Sequence, residues 1–354
     1  MRAIRPLAMA AAAVLALSLS QVAEASATPD PHLTVHGHDR VLAITGTPNY
    51  LVYLRGTGRL IPSSAGTVYV KTNAGKPRRI AHRARGNPTW IDGSMLVITT
   101  GTTRYPVRLR WWDLANGQHG SLTLPGNEFP LAAAPNGWVS IRPAPGSTDG
   151  ASQLIRHSTT GTTTVLGVPF PDGAGFDLST GPRGLVAWTN HDASSTGRIV
   201  AMSWARPDRF RTLIKGVDLA SCPSISARYA ACYLQRATST AVALVPLDGH
   251  KPTRTRKACP TDRPALLGVS VAWIARPTTP KPLPACAAGH FHILTRTGVT
   301  KTSRRTYEWY GLVSAFGRLV VTSRSERSLA TLTSIGARPV PVVAPREPTG
   351  REPT

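Results

Sequence analysis

The sequence predicts an all-β fold, a β-propeller of seven four-stranded blades, and three observations carry that prediction. Short alternating segments rich in Thr, Val and aromatic residues run the length of the chain, punctuated by 31 Gly and 31 Pro. No stretch after residue 30 sustains the apolar i, i+3, i+4, i+7 spacing of a long amphipathic helix. One apolar strand recurs seven times at a spacing near 45 residues, the length of a four-stranded blade. Six or eight blades stay open if an end unit is misread, whereas a pair of β-sandwiches would not explain the period.

Taken in order, the first residues stand apart from the fold. Arg2 and Arg5 precede an apolar run of 13 residues from Leu7 to Leu19, and small residues then lead to Ala25-Ser26-Ala27. This is the pattern of a cleaved export signal, and the run is too short to span a bilayer. A lipobox cysteine and a twin-arginine pair are both missing. The expected organisation is a signal peptide over 1–27, a soluble exported propeller over 28–344, and a disordered Pro-rich tail over 345–354 with a doubled "REPT".

The recurring strand reads GTPNYLVYLR (46–55), WIDGSMLVIT (90–99), APNGWVSIR (134–142), GPRGLVAWTN (181–190), ARYAACYLQR (227–236), LGVSVAWIAR (267–276) and AFGRLVVTSR (315–324). With Val52, Val97, Val139, Ala187, Cys232, Ala272 and Val320 as centres, the spacings are 45, 42, 48, 45, 40 and 48. A third alternating strand follows, such as VRLRWW (107–112) or FHILTRT (291–297), and then a turn. Gly75, Gly117, Gly161, Gly249, Gly298 and Gly336 supply that turn, because glycine reaches the positive φ of tight hairpins. The fourth unit is expected to turn at Arg206-Pro207-Asp208 instead. Short fourth strands such as SLTL (121–124), TTTVL (162–166) and FRTLI (210–214) complete each unit. A single twisted sheet cannot bury both faces, and radial packing against neighbours solves that problem.

The segments APNG (134–137) and GPRG (181–184), ahead of the apolar strand, and RWWDLANG (110–117) after it resemble the WD40-like and TolB-type repeats of bacterial exported propellers. The resemblance spans nearly the whole mature chain. The family's SPDG turn is degraded here, with Pro135-Asn136-Gly137 its nearest approach. The resemblance implies a propeller with a binding role, and it carries over no partner and no catalytic residue.

Charge and cysteines bound the chemistry. The chain carries +23, and removing Arg2, Arg5 and Glu24 leaves +22. Such a balance attracts polyanions, outside the cell anionic wall polymers, acidic polysaccharides or phospholipid head groups rather than nucleic acid. Arginine-heavy usage, 34 Arg against 7 Lys, also fits a base-composition effect that merely solvates the surface. Cys222, Cys232, Cys259 and Cys286 all fall in the exported part and allow three pairings. The expected one is Cys222–Cys232 across neighbouring strands and Cys259–Cys286 across a Pro-rich loop. No C-x2-C spacing supports zinc.

An acidic residue tends to open each first strand and a basic one to close the recurring strand. The pairs are Asp39 with Arg55, Glu128 with Arg142, Asp177 with His191, Asp218 with Arg236, Asp262 with Arg276, and Glu308 with Arg324. Antiparallel geometry puts them on one face of the ring, with the acids nearer the channel. They serve either as local clamps worth about 0–1 kcal/mol each or as a charged funnel for a ligand, with Phe129, Phe176, Trp309 and Tyr310 as stacking surfaces. His36-x-His38 and His290-x-His292 are expected to be exposed strand histidines, with no metal and no cofactor. There is no G-x-S-x-G elbow, H-E-x-x-H, P-loop or G-x-G-x-x-G. The expected function is therefore an exported, non-enzymatic scaffold that binds an envelope protein or an anionic polymer. The alternative is a channel-mouth glycoside hydrolase or lyase using Asp177, Asp218 and Glu308.

Overall fold

The computed structural model of the chain describes residues 33–34, 40–56, 65–100, 106–146, 150–170, 176–190, 196–249, 253–258, 263–275, 290–306, 309–323, 328–332 and 340–341. The signal segment, the tail, His36, His38, Asp39, His191, Cys259, Asp262, Arg276, Cys286, Glu308, Arg324 and Gly336 lie outside the described residues.

The alternating segments form antiparallel strands in chain order. β2 (Arg40–Gly46), β3 (Tyr50–Gly56), β4 (Ala65–Thr72), β5 (Arg78–Asp92), β6 (Met95–Thr100), β7 (Arg108–Asp113) and β8 (His119–Thr123) make one seven-stranded sheet. β9 (Phe129–Ala134), β10 (Gly137–Pro143), β11 (Ser152–Ser158) and β12 (Thr163–Phe170) make the next. β13 (Phe176–Gly181), β14 (Gly184–Thr189), β15 (Gly197–Ser203) and β16 (Arg206–Val217) follow. Then come β17 (Leu219–Ile225), β18 (Tyr229–Arg236), β19 (Ser239–Pro246) and β20 (Arg254–Lys257). β21 (Ala265–Leu267), β22 (Ser270–Ile274), β23 (His290–Leu294) and β24 (Thr300–Thr306) form the fifth sheet. The closing sheet joins β25 (Trp309–Ala315), β26 (Arg318–Ser323) and β27 (Ser328–Leu332) to β1 (Leu33–Thr34) and β28 (Val340–Pro341).

The fold is a β-propeller, with six sheets among the described residues in place of the seven expected. The difference lies in β5, which runs 15 residues through the expected boundary between the first two units. It pairs with β4 as far as Arg85 and with β6 already from Ala84, which bridges Gly66 on one side and Thr100 on the other, before a register shift leads to the Thr89–Ile98 pair. Hydrogen bonding is therefore not interrupted there. Apolar packing follows the sequence period regardless. Val52 and Leu54 of β3 cluster with Leu96 and Ile98 of β6, so the two halves of the long sheet face each other.

The recurring strand is β3, β6, β10, β14, β18, β22 and β26, and all seven of its centres are 0% exposed. Clusters such as Val139, Leu154 and Leu166 with Leu185, Ala187 and Val200 fill the space between successive sheets. Gly137 and Gly184 occupy the same place in consecutive sheets, where second and third strands approach closely. A Cβ at either would lie 1.8 Å from the carbonyl oxygen of His157 or Met202. The third-to-fourth strand turns use Gly117, Gly161, Gly249 and Gly298 at φ of 76°, 91°, 72° and 87°. The fourth unit departs from expectation: Arg206 already pairs with Ser203, so the reversal sits at Trp204-Ala205. Trp204 fixes it there, donating its backbone N–H to Arg183 O (3.0 Å) and its indole N–H to Gly181 O (2.9 Å).

Closure joins the ends of the chain. Leu33 pairs with Leu329 and Thr34 with Ser328, while Pro341 and Val340 pair with Ala330 and Thr331. The outer edge of β27 is thus shared between the two ends. Val41, Ile44 and Leu51 pack against Ala315 and Val320, joining the first sheet to the last. Among the described residues no helix is long and apolar enough to cross a membrane.

Candidate functional site

The start of each first strand is the edge at which the sequence places its acids. Glu128 immediately precedes β9, Asp177 is the second residue of β13, and Asp218 immediately precedes β17. Register sets Arg142 and Arg236 at the same edge, since Phe129 pairs with Ile141 and Leu219 with Gln235.

Glu128 is 1% exposed and spends its Oε1 on two donors, the Ser140 hydroxyl at 2.6 Å and His157 Nε2 at 2.6 Å. Burial alone would raise its carboxyl. The bonds from His157 and Ser140, with the charges of His157 and Arg142, outweigh that and hold it below its ordinary value. His157 stacks on Trp138 across the β10–β11 pair, with centroids 5.0 Å apart. Arg142 turns to Gln153 on β11, whose amide oxygen accepts from Nε at 3.0 Å and from a terminal nitrogen at 3.2 Å. The partner of Glu128 is therefore His157 and not the expected Arg142. Ser140 lies 2.9 Å from His157 Nε2, but it is 0% exposed and its proton is committed to Glu128. The trio is a buried clamp and presents no nucleophile.

Asp177 reaches sideways. Burial raises its carboxyl above the usual range, offset in part by a bond from Ser221 on β17 of the next sheet and by the charge of Arg263. The backbone N–H of Asp218 donates to Gln235 O at 2.9 Å, and Arg236 beside it is exposed. Phe129 is 38% exposed at this edge. Trp309 opens β25.

The opposite edge holds a cluster that sequence reasoning missed. Asp92, at the β5–β6 turn, is 6% exposed, and its Oδ2 meets no donor among the described residues. Burial pushes its carboxyl up to about 7, although the charge of Arg156 and the Gly93 backbone N–H pull the other way. Arg156, which faces the charge of Asp92, also donates to Pro135 O at 3.0 Å and lies 4.6 Å from the Trp204 ring centroid, so the cluster draws on three successive sheets.

His290 and His292 stand two apart on β23, and both are half-buried where exposed strand histidines were expected. His292 stacks on Trp273 at 5.1 Å, lies 3.0 Å from Thr302 Oγ1, and is pushed down to about 4 by burial and by His290. Among the described residues no three metal-ligating side chains converge. Cys222 and Cys232 form the disulfide expected between β17 and β18.

The charge is distributed unevenly. Arg206, Arg209, Arg211 and Lys215 on β16, Arg254, Arg256 and Lys257 on β20, and Lys301 on β24 are all exposed. These are outermost strands of their units, and Asp208 is the single exposed acid among those described positions. The outermost strands β8 and β12 carry neither Lys nor Arg.

No protein-family model matches the chain, and no curated protein matches it. Solved structures do. The propeller domain of the trilobed protease from Pyrococcus furiosus, described as having an open velcro topology, is 10% identical over 86% of this chain and 98% of that one, with a TM-score of 0.58. Acylaminoacyl peptidase from Pyrococcus horikoshii is 9% identical over 85% of this chain and 52% of that one, with a TM-score of 0.55. The Cps50 (Swd1) propeller domain from Myceliophteria thermophila is 13% identical over 83% and 97%, with a TM-score of 0.51. A TolB-labelled structure from Agrobacterium tumefaciens also matches, at a TM-score of 0.43, too loosely to carry an argument. The chain spans about half the length of the peptidases it matches. At these identities the likeness shows the fold alone: the chain is a β-propeller.

Proposed function

We propose that the chain is an exported, non-enzymatic propeller scaffold that holds an anionic partner of the cell envelope by charge. The observation that carries this reading is the one-sign population of the outermost strands in a chain of +23. Edge strands use charge to block pairing with other chains. Mixed signs would serve that purpose equally, and β8 and β12 do without charge altogether. A dense array of exposed arginines goes further, raising the local concentration of polyanions and steering them inward.

An anionic polymer fits better than a folded protein partner. Protein interfaces centre on apolar and aromatic anchors, and the exposed large apolar residues Phe129, Val165, Leu219, Val269 and Val299 are scattered. Export rests on the signal-like residues 1–27, with the mature chain starting near Thr28 and the Pro-rich tail beginning at residue 345. A channel-mouth hydrolase would need free carboxylates, yet Asp177, one of its three candidates, is half-buried and bonded to Ser221.

The test is retention of the mature chain, residues 28–354, on isolated cell envelope across a salt gradient. Binding should fall steeply and linearly on a log–log plot as salt rises. Retention that is indifferent to salt would overturn the charge reading and point to an apolar contact with a protein.

A further inference from the structure

We propose that the partner is a linear phosphodiester polymer and that it lies along the rim formed by β16 and β20, on one side of the ring. This deepens, and rests on, the reading of the chain as a polyanion-binding scaffold. Sidedness comes first. The outermost strands β8 and β12 are as open at their edges as β16 and β20, yet they carry no Lys or Arg. All four residues of β20, Arg254-Thr255-Arg256-Lys257, are exposed, so this strand buries no face of its own. Arg254 and Arg256 share one face and repeat at about 6.6 Å along the strand, a ladder suited to a chain bearing regularly spaced charges.

The two rims form one surface. From β16, the Arg211 guanidinium donates to the backbone carbonyls of Leu247 and Asp248, in the turn that leads toward β20. Gly249 makes room for it, since a Cβ there would lie 2.3 Å from an Arg211 terminal nitrogen. Farther along β16, Lys215 pairs directly with Arg198 of β15, and both are exposed. Like charges set opposite each other across a strand pair destabilise it. An anion bridging the two removes that cost. Asp208 and Asp248 are the exposed acids nearby, against Arg206, Arg209 and Lys215 on β16 and the three cations of β20.

What the rim lacks selects the polymer. None of the exposed large apolar residues lies on β16 or β20. The one aromatic on β16, Phe210, is half-buried against Gly167, which leaves no open platform for bases or sugar rings to stack on, and without an exposed apolar wedge there is no membrane anchor. Recognition falls to charge carried on the polymer backbone, and the guanidinium fork fits phosphate oxygens two at a time.

The experiment titrates the mature chain with poly(glycerol phosphate), with polygalacturonate and with phosphatidylglycerol vesicles, each over a salt series. Wild type should bind the phosphodiester polymer most tightly. Replacing Arg254, Arg256 and Lys257 together by Ser should lower its affinity on the order of 10- to 100-fold at low salt and reduce the log–log salt slope by about 2. Changing Arg78 and Arg79 to Ser should leave both unchanged. Thermal melts confirm that each variant is folded, and Gln replacements stand in for any Ser variant that melts early. If the β5 variant loses as much as the β20 variant, the rim assignment fails while the scaffold reading stands. Tighter binding to polygalacturonate or to vesicles overturns the phosphodiester assignment. If wild type binds none of the three at low salt, the scaffold reading itself falls.

Discussion

Asp92 and Glu128 are both buried carboxylates, and they behave oppositely because of what surrounds them. Each keeps one oxygen without a donor, but Glu128 receives two bonds on the other, from Ser140 and His157, and is held below its ordinary value, whereas burial dominates at Asp92 and lifts it to about 7. An acid whose folded value lies above its unfolded value favours the fold while it is protonated. For Asp92 that advantage is complete below its ordinary 3.8 and is lost as pH climbs toward about 7. Asp92→Asn removes the charge and keeps the shape. It should stabilise the protein on the order of 1–3 kcal/mol at pH 8 and much less at pH 4, as read from denaturant midpoints at the two values. An equal effect at both would mean that ionisation is not the cause. Sequence alone shows Glu128 as a strand opener, but its partners Ser140 and His157 lie on two other strands and emerge only once register is set. Asp92 reads in sequence as an ordinary Asp-Gly turn, because its burial comes from neighbouring sheets.

Strands show the same division between what is local and what is not. The recurring strand was legible because its apolar centres must be buried whichever sheet they join. Sheet count was not legible, since it depends on whether hydrogen bonds break between Ala84 and Thr89, and residue type does not decide that. The turn at Trp204-Ala205 escaped because Pro207 signals a turn by composition, while the anchoring bonds run from the Trp204 indole. The Cys222–Cys232 disulfide was legible from the even cysteine count and the spacing, and it closes a separation of 10 residues within one hairpin. Restricting the unfolded chain this way contributes about 3 kcal/mol. Reductant should lower the melting temperature of the parent by several degrees. A Cys222→Ala, Cys232→Ala variant should already melt lower and respond less. If that variant melts with the parent, the bridge contributes nothing. The sequence showed the overall basic balance, but the concentration of cations on outermost strands such as RTRK, and their alignment on adjacent rims, needed the fold.

The whole ring depends on one edge that both chain ends share. Removing residues 28–36 takes away β1, and removing residues 340–354 takes away β28, each leaving part of β27 unpaired. Either truncation should lower the melting temperature, and the double truncation should lose more than the two losses added, because both strands cover the same partner. Simple additivity in the melts would mean that the two strands act independently. Leu33 and Leu329 are 296 positions apart (329 − 33), the longest reach among the described strand pairs. Contacts of such reach form late, after most of the loop entropy has been spent. As the chain emerges the sheets can assemble one after another, but the arc stays open until the final strands arrive. For that interval it exposes a bare edge at each end, and the end of a second copy is chemically the same as its own. Dilution and prompt delivery of the C-terminal strands then decide between a closed ring and two chains exchanging strands.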